Sequence, residues 1–494
     1  MLAFDAPDQL ADAIASPTVL AVLATLGVVL LVVVVRELRQ VQANLLVLMA
    51  AAFLDMVGLF MVVPILPFYV KSLGAGASWF GLPLGEGALT GLVVSSFTVA
   101  QLLSAPWWGR CSDRWGRRPV LLIALLASSA AFLLFGFAES LSLLVLSRVV
   151  QGLGGGTTGV IQAYVGDAVE PAQRARALGW LSAATNLGVA LGPVLGSLAV
   201  TLGERDLLPG SGELRLGHAA PGVAAALLCL LNAGFAWVYL PEPGAAAEKP
   251  KPQVEVRGVF EPAVHAEHGL RMGPPDDRVA AAAKPKPQTK VREAFGLVLQ
   301  QPRAPASRLL LIYGIAIGAA QGVNPTMILL LGYRFGATEQ SVGYLFMYIG
   351  ALSVFARILV LGRAVDRFGE PALSTVGLVT LAAGIGLLGF AGTVPVLAFA
   401  VALLPIGSAL TFPCLTSMLS RVVPASDRGL YMGLQQTFGG IARLIAPLAY
   451  GFAYDSIGRS APFEMAALFV GSTVLLGLGL HRVVPPKNTA APKA

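Results

Sequence analysis

Charged residues in this chain come in short clusters, separated by long apolar runs. A helix needs about 20 apolar residues to cross a hydrocarbon core. Runs of that size lie near 17–35, 44–70, 87–108, 119–138, 141–166, 178–201, 221–240, 308–332, 341–361, 372–391, 395–420, 430–453 and 463–481. Glycine and proline recur inside them, as membrane helices tolerate. The runs are too long for barrel strands, which alternate over about ten residues. The pattern predicts an all-α membrane protein with twelve core helices and one extra helix at the N-terminus.

Residues 241–306 break this pattern. The stretch from EKPKPQVEVRG to AAAAKPKPQTKVRE is rich in Pro, Ala and Lys and carries no apolar period. It reads as a flexible linker, closing on VREAFGLVLQQ, a short amphipathic segment suited to a membrane surface. Five regions follow: 1–43 with the extra helix, 44–240 and 307–482 as six-helix bundles, 241–306 as linker, and 483–494 as tail. The two bundles echo each other. GRCSDRWGRRP at 109 aligns with GRAVDRFGEPA at 362, an offset of 253, and Pro171 aligns with Pro424 at the same offset. Gly192-Pro193 aligns with Ala446-Pro447 at 254. Duplicated halves of this kind place a substrate site between them, near the bilayer midplane.

Composition agrees with a membrane solvent. Of 494 residues 56% are hydrophobic and 12% charged, against about 25% charged in a soluble domain. The net charge of +7 does not imply nucleic acid, because the basic residues form no continuous patch. They mark topology instead. If the 109–119 loop is cytoplasmic, inside segments hold 26 of the 34 Lys and Arg, and only Lys71, Arg205, Arg215, Arg334 and Arg459 fall outside. The central linker and the C-terminus are then cytoplasmic, and the expected location is the cell membrane. The 17–35 run follows an acidic start, unlike a cleaved signal peptide. It reads as an extra helix with its N-terminus outside, or as a re-entrant or loosely attached segment. Cys111, Cys229 and Cys414 show no metal spacing and read as reduced structural thiols. No metal site, cofactor or nucleotide motif is expected.

The loop at 109–119 packs four arginines and an aspartate between two apolar runs. It matches G-x-x-x-D-R-x-G-R-R through Gly109, Asp113, Arg114, Gly116, Arg117 and Arg118. With its flanking spans and second copy (Gly362, Asp366, Arg367 and Gly369), it resembles the major facilitator superfamily across the core. Physically, Gly109 and Gly116 suit a tight reversal. Asp113 can accept from a helix N-terminus. The arginines can pair with carboxylates or lipid phosphates, or act only as topology anchors. The resemblance implies a latch that steadies the outward-facing state. The second copy has Glu370-Pro371 where the first has its basic pair, which suggests a weaker latch.

In GWLSAATNLGVALGPVLGS, Gly188, Gly192 and Gly196 lie four apart and stack on one helix face, where small residues admit a close neighbour. Pro193 favours a bend. With Gly179 the segment resembles the antiporter signature G-x8-G-x3-G-P-x2-G-G of drug:proton exchangers, departing only at Ser197. Ordinary small-residue packing is the competing reading.

Ionisable groups inside a membrane are functional candidates. Asp55, in AAFLDMVGLFMVVPILP, resembles the aspartate of tetracycline-type exporters, with Gly58, Pro64 and Pro67 in register. Burial favours a neutral carboxyl and a nearby cation favours the charged form, so Asp55 can switch. Arg148, in SRVVQGLGGG, resembles the family's R-x-x-Q-G motif, which is linked to proton coupling, and shares a helix face with Gln151. The alternatives are a structural hydrogen bond at Asp55 and a helix-locking ion pair at Arg148. Arg443 lies mid-span with no evident partner. Gln321, Asn324 and Gln435 are candidates for a polar cavity lining, or for interhelical hydrogen bonds. Arg357 is expected to snorkel to the cytoplasm, and Asp167 to pair with Arg174 or Arg176.

These readings converge on a monomeric, proton-driven antiporter exporting small amphipathic molecules through a lipid bilayer. An uptake or sugar transporter on the same scaffold is the first rival. A non-transporting sensor or scaffold using the linker is the second. No nucleophile–base pair or phosphate loop suggests an enzyme.

Overall fold

The computed structural model describes residues 43–74, 78–79, 82–155, 157–169, 174–204, 216–242, 296, 298, 300–424 and 427–480. The 17–35 run, nearly all of the linker and the 483–494 tail lie outside the described residues.

The first apolar run forms α1 (Ala43–Val62) and continues through a 3-10 turn at Val63–Ile65 into α2 (Leu66–Gly74). Pro64 sits in that turn, where its missing N–H breaks the α-helical ladder. A minimal antiparallel ladder pairs Ser78–Trp79 with Leu82–Pro83. Then come α3 (Glu86–Trp115), α4 (Arg117–Gly136), α5 (Leu141–Gly154), α6 (Thr157–Ala168), α7 (Arg174–Gly203) and α8 (Ala220–Tyr239). The later half runs α9 (Pro305–Phe335), α10 (Glu339–Phe355), a π-helical turn at Ala356–Leu361, α11 (Gly362–Phe368), α12 (Glu370–Phe390), α13 (Val394–Val422), α14 (Arg428–Ser456) and α15 (Ala461–Gly477).

Among the described residues, eight helical segments are long and apolar enough to cross a membrane, and α15 is a shorter apolar helix. The apolar run at 141–166 divides into α5 and α6 at Gly155, within a GGG sequence that weakens helix propagation.

Buried apolar side chains sort by position in the chain. Two cores draw on residues between Leu48 and Leu240, including Val57, Phe132 and Phe135. The other two draw on residues between Val298 and Leu480, including Leu310, Met327 and Phe463. The chain thus folds as two lobes. Val298, from the closing stretch of the expected linker, is buried against the second core. Large apolar side chains such as Leu103, Trp237, Phe399 and Leu468 face outward, as an apolar solvent allows.

The lobes meet along two helix pairs, α3 with α14 and α7 with α10. Contact is closest at the end where α3 and α10 begin. A Cβ on Gly87 would stand 2.5 Å from the carbonyl oxygen of Gly451, and Gly91 abuts the Pro447 carbonyl. Asp455 accepts from the backbone N–H of Gly87 (3.0 Å) and of Ala88 (2.7 Å), capping the N-terminus of α3. Ser95 donates to the Leu444 carbonyl (2.7 Å) and Ser197 to that of Glu339 (2.7 Å). At the opposite end, Gly109, Gly362, Gly429 and Gly433 have open space where a Cβ would be. Among the described residues, the cross-lobe hydrogen bonds lie toward the first of these ends.

Candidate functional site

Asp55 lies on α1, buried at 8% exposure, and accepts a 2.8 Å hydrogen bond from the Thr157 hydroxyl. Thr157 is the first residue of α6, so the break in the 141–166 run is what brings it to the carboxylate. Asp55 also borders a cavity of about 390 Å³, lined by Gln162, Ser182 and Thr185 among others. A buried carboxyl beside a space large enough for water can exchange a proton while staying within the lobe.

Arg148, at 1% exposure, is the largest fully buried side chain in the described structure. Among the described residues Arg148 has no ion pair, so the helix-locking salt bridge is not the arrangement found. Its guanidinium lies 4.9 Å from the ring centre of Phe135 and 5.9 Å from that of Phe132. Its Nε meets Ser147 at 3.4 Å, while Nη2 has no partner. Aromatic faces partly replace the lost hydration of a cation. Gln151 is buried too, with its carbonyl oxygen unpartnered.

Between the lobes lies a second cavity, of about 220 Å³. Gln321 and Asn324 line it, joined by Asn186 from α7 and Ser408 from α13. Arg357 lines it as well. This corrects the expectation that Arg357 snorkels away. It sits in the wide π turn, a feature that recurs at functional sites. Its Nε is buried without a partner. Gln435 is not at this cavity; it is buried against Thr416, donating to that hydroxyl at 3.1 Å. Arg443 is half-buried, with its guanidinium near Gly439, and lines neither cavity.

The glycine stripe behaves as its spacing implies. Cβ atoms on Gly188 and Gly192 would stand 2.6 Å from the Phe53 carbonyl oxygen and 2.8 Å from that of Val57, and Gly196 abuts the Met61 carbonyl. These three seat α7 directly on α1, the helix that carries Asp55. Gly179 has nothing near it and belongs to no such contact. Pro193 lies inside α7, with its carbonyl against Gly343 of the other lobe.

The charged loop is tighter than the sequence suggests. Helix α3 runs to Trp115 and α4 starts at Arg117, so Gly116 alone makes the reversal, at φ +99°. Gly109 is helical with open space beside it and plays no part in the turn, which corrects its expected role. The copy repeats this arrangement: Gly362 is helical, and Gly369 reverses the chain at φ +77°.

Asp113 does not cap a helix. It pairs with Arg117 at 2.7 Å, and Arg117 also reaches Asp167 at 2.8 Å. Asp167 is thus held by Arg117; the side chains of Arg174 and Arg176 lie outside the described residues. The α4 N-terminus is capped instead by Glu242, which accepts from the backbone N–H of Arg117 (2.5 Å) and of Arg118 (3.0 Å). Residues 241–242 therefore belong with the first lobe rather than with the linker. Arg118 donates to the Trp237 carbonyl. Arg114, Asp366 and Arg367 have no ion pair among the described residues, and Arg367 lies over Phe368.

In the copy, Glu370 is buried, pairs with Arg421 and accepts from Ser417 at 2.9 Å. Arg117 with Asp167 and Glu370 with Arg421 are the same bond with the charges exchanged. The second loop thus carries an ion pair of its own, although it lacks the basic pair of the first. Sequence reasoning missed Thr157, Glu242, Arg421 and Asp455. The 253-residue offset carried the signal for Arg421, since it brings Asp167 to within one residue of it.

Two helical lobes with a cavity between them are the architecture of membrane transporters built from repeated halves. The chain belongs to the Major Facilitator Superfamily, whose family profile matches residues 48–320 and 309–494. It is therefore a multi-pass membrane protein of a transporter family. It is 25% identical over 405 residues to the class B tetracycline resistance protein of Escherichia coli, covering 81% of this chain and 86% of that one. It is 27% identical over 489 residues to major facilitator superfamily domain-containing protein 10 of Bos taurus, covering 92% and 96%. The solved human organic anion transporter MFSD10 (TETRAN) superposes with a TM-score of 0.59 at 24% identity, over 88% of this chain and 100% of that one. An inward-facing, occupied bacterial homologue of the lysosomal transporter Spinster gives 0.64 at 14% identity, over 89% and 96%.

Proposed function

We propose that this protein is a proton-driven exporter of small amphipathic molecules, with tetracycline-like compounds among the candidates. It works by alternating access in the cell membrane. Each lobe contributes six spans, with α1–α2, α5–α6 and α10–α11 each serving as one. We place the loop end in the cytoplasm from the distribution of Lys and Arg.

The observation that carries this reading is Asp55, a carboxyl buried inside one lobe, tied to Thr157 and bordering a cavity. Protonation removes its charge, and with it the demand for the Thr157 bond. Because α7 is seated on α1 through Gly188, Gly192 and Gly196, a shift of α1 carries α7, whose other face touches α10 of the second lobe. Protonation from outside and release inside can thus be linked to lobe movement. The similarity to tetracycline resistance proteins supports the choice of substrate type.

The test is drug movement in proteoliposomes with an imposed proton gradient, inside-out and right-side-out. Efflux that stops when the gradient is collapsed is the expected result. Transport indifferent to the gradient overturns proton drive. Net uptake driven by the gradient favours a symporter, and no movement of any compound in a broad panel favours a sensor.

A further inference from the structure

We infer that the cavity between the lobes binds an anionic amphipathic molecule, with Arg357 as the residue that receives its carboxylate. This rests on the transport reading of the same cavity and names its substrate class.

Apart from Arg443, which lines neither cavity, the other buried or half-buried arginines among the described residues have protein partners. Arg117 is shared by Asp113 and Asp167, Arg421 is held by Glu370, and Arg334 donates to the Ala391 carbonyl and the Ser460 hydroxyl at 3.0 Å each. Arg148 rests on two phenylalanine rings. Arg357 has neither: its Nε is buried and unpartnered, and it lines a cavity. A cation withdrawn from water without a partner is costly, and a ligand that supplies the missing anion recovers that cost. Guanidinium and carboxylate match in a planar, two-point geometry.

The rest of the cavity suits the same ligand. No aspartate or glutamate is among its lining residues, so no protein carboxylate competes for Arg357 and no anion repels the guest. Asn186, Gln321 and Asn324 bring carboxamide N–H donors from both lobes, while Phe346 and Phe412 offer apolar faces for a ring. Asp55 borders a separate cavity, in the first lobe. The coupling carboxyl and the binding cation are therefore on different lobes, and neither neutralises the other.

At about 220 Å³ the space falls below the usual range for drug-sized ligands, about 300–1,000 Å³, so a compact probe is appropriate. The test uses the full-length protein in lipid nanodiscs. Radiolabelled 2-naphthylacetate is displaced by the unlabelled acid, by neutral 2-naphthylacetamide and by cationic 2-naphthylmethyltrimethylammonium. A charge-assisted hydrogen bond is worth about tenfold or more, so the acetate should outcompete both analogues by at least about tenfold. Arg357→Gln should reduce the acetate-to-amide ratio to about one, and Arg357→Lys should keep part of it. Thermal unfolding confirms that each variant is folded, and the Lys variant carries the test if the Gln variant is not.

An acetate no tighter than the amide, preference for the ammonium, binding of none of the three, or a Gln variant that keeps the preference would each overturn the inference. Proton-linked export of neutral or cationic drugs without acetate preference removes the anion site and leaves the exporter standing. Acetate binding at Arg357 without any proton-linked movement does the reverse.

Discussion

Asp55 and Arg148 are both buried in the first lobe, yet they are not bonded to each other. Asp55 leans on Thr157, and Arg148 on two aromatic rings. Their roles are therefore separable by mutation. Asp55→Asn keeps the shape and can still bond Thr157, but it cannot gain or lose a proton. We expect it to fold with a melting temperature near that of the parent and to reduce proton-linked efflux by at least about tenfold, the usual scale for removing an essential proton-transfer group. Proton uptake measured during drug counterflow checks this; an Asn variant with parental coupling rules Asp55 out. Glu242 gives a second residue-scale prediction. Its carboxylate caps two N–H groups at the α4 N-terminus. Replacing it with Ala should cost about 1 kcal/mol of stability, as capping losses do, read as a lower melting temperature in detergent. Asp55 could be found from sequence because a lone carboxyl in an apolar run stands out. Glu242 could not, because it lies in a Pro-rich stretch whose composition resembles the linker beyond it.

At the scale of elements, glycine spacing is the informative feature. Gly188, Gly192 and Gly196 recur every four residues, and a helix turn of 3.6 residues places them on one face. Which neighbour that face meets depends on the packing, and here it is α1. Gly192→Leu would push against the Val57 carbonyl and the Phe60 side chain. Backbone cannot yield as a flexible side chain can, so destabilisation of about 1–3 kcal/mol or more is expected. Gly179→Leu, in open space, should be nearly silent. Comparing the two by thermal unfolding tests the contact, and equal effects would contradict it. The exchanged ion pairs offer an element-scale test as well. Glu370→Arg alone places two cations together and should abolish folding or transport. Adding Arg421→Glu restores opposite charges and should recover transport to within about tenfold, since charge placement rather than residue identity makes the pair. The break between α5 and α6 was not legible in the apolar pattern, because glycine is compatible with both a continuous and an interrupted membrane helix.

For the whole molecule, the question is what holds the two lobes together. The far end is held by backbone-close glycines and by Asp455 capping α3 across the lobe boundary. The loop end has its ion pairs within lobes: Arg117 with Asp113 and Asp167 in the first, Glu370 with Arg421 in the second. Asp455→Ala removes both cross-lobe caps without adding bulk and should shift the population toward opening at the far end. Spin labels placed on the two lobes at that end should show a longer distance component in the variant. An unchanged distribution would mean that the glycine contacts and the Ser95 and Ser197 hydrogen bonds hold the lobes together without the cap.

By itself the sequence determined the membrane solvent, the helical class, the two halves with matching motifs and the glycine-bearing loops in which the chain reverses. These follow from local composition, helical periodicity and the steric freedom of glycine, none of which depends on remote residues. Tertiary structure alone decided the partners: Thr157 for Asp55, Phe135 and Phe132 for Arg148, Glu242 for the α4 N-terminus, Asp455 for α3, and the cavity for Arg357. Each joins groups from different elements, and the Asp455 cap and the cavity at Arg357 involve both lobes. Burial, hydrogen bonding and charge pairing act over a few ångströms of space, and distance along the chain does not report distance in space.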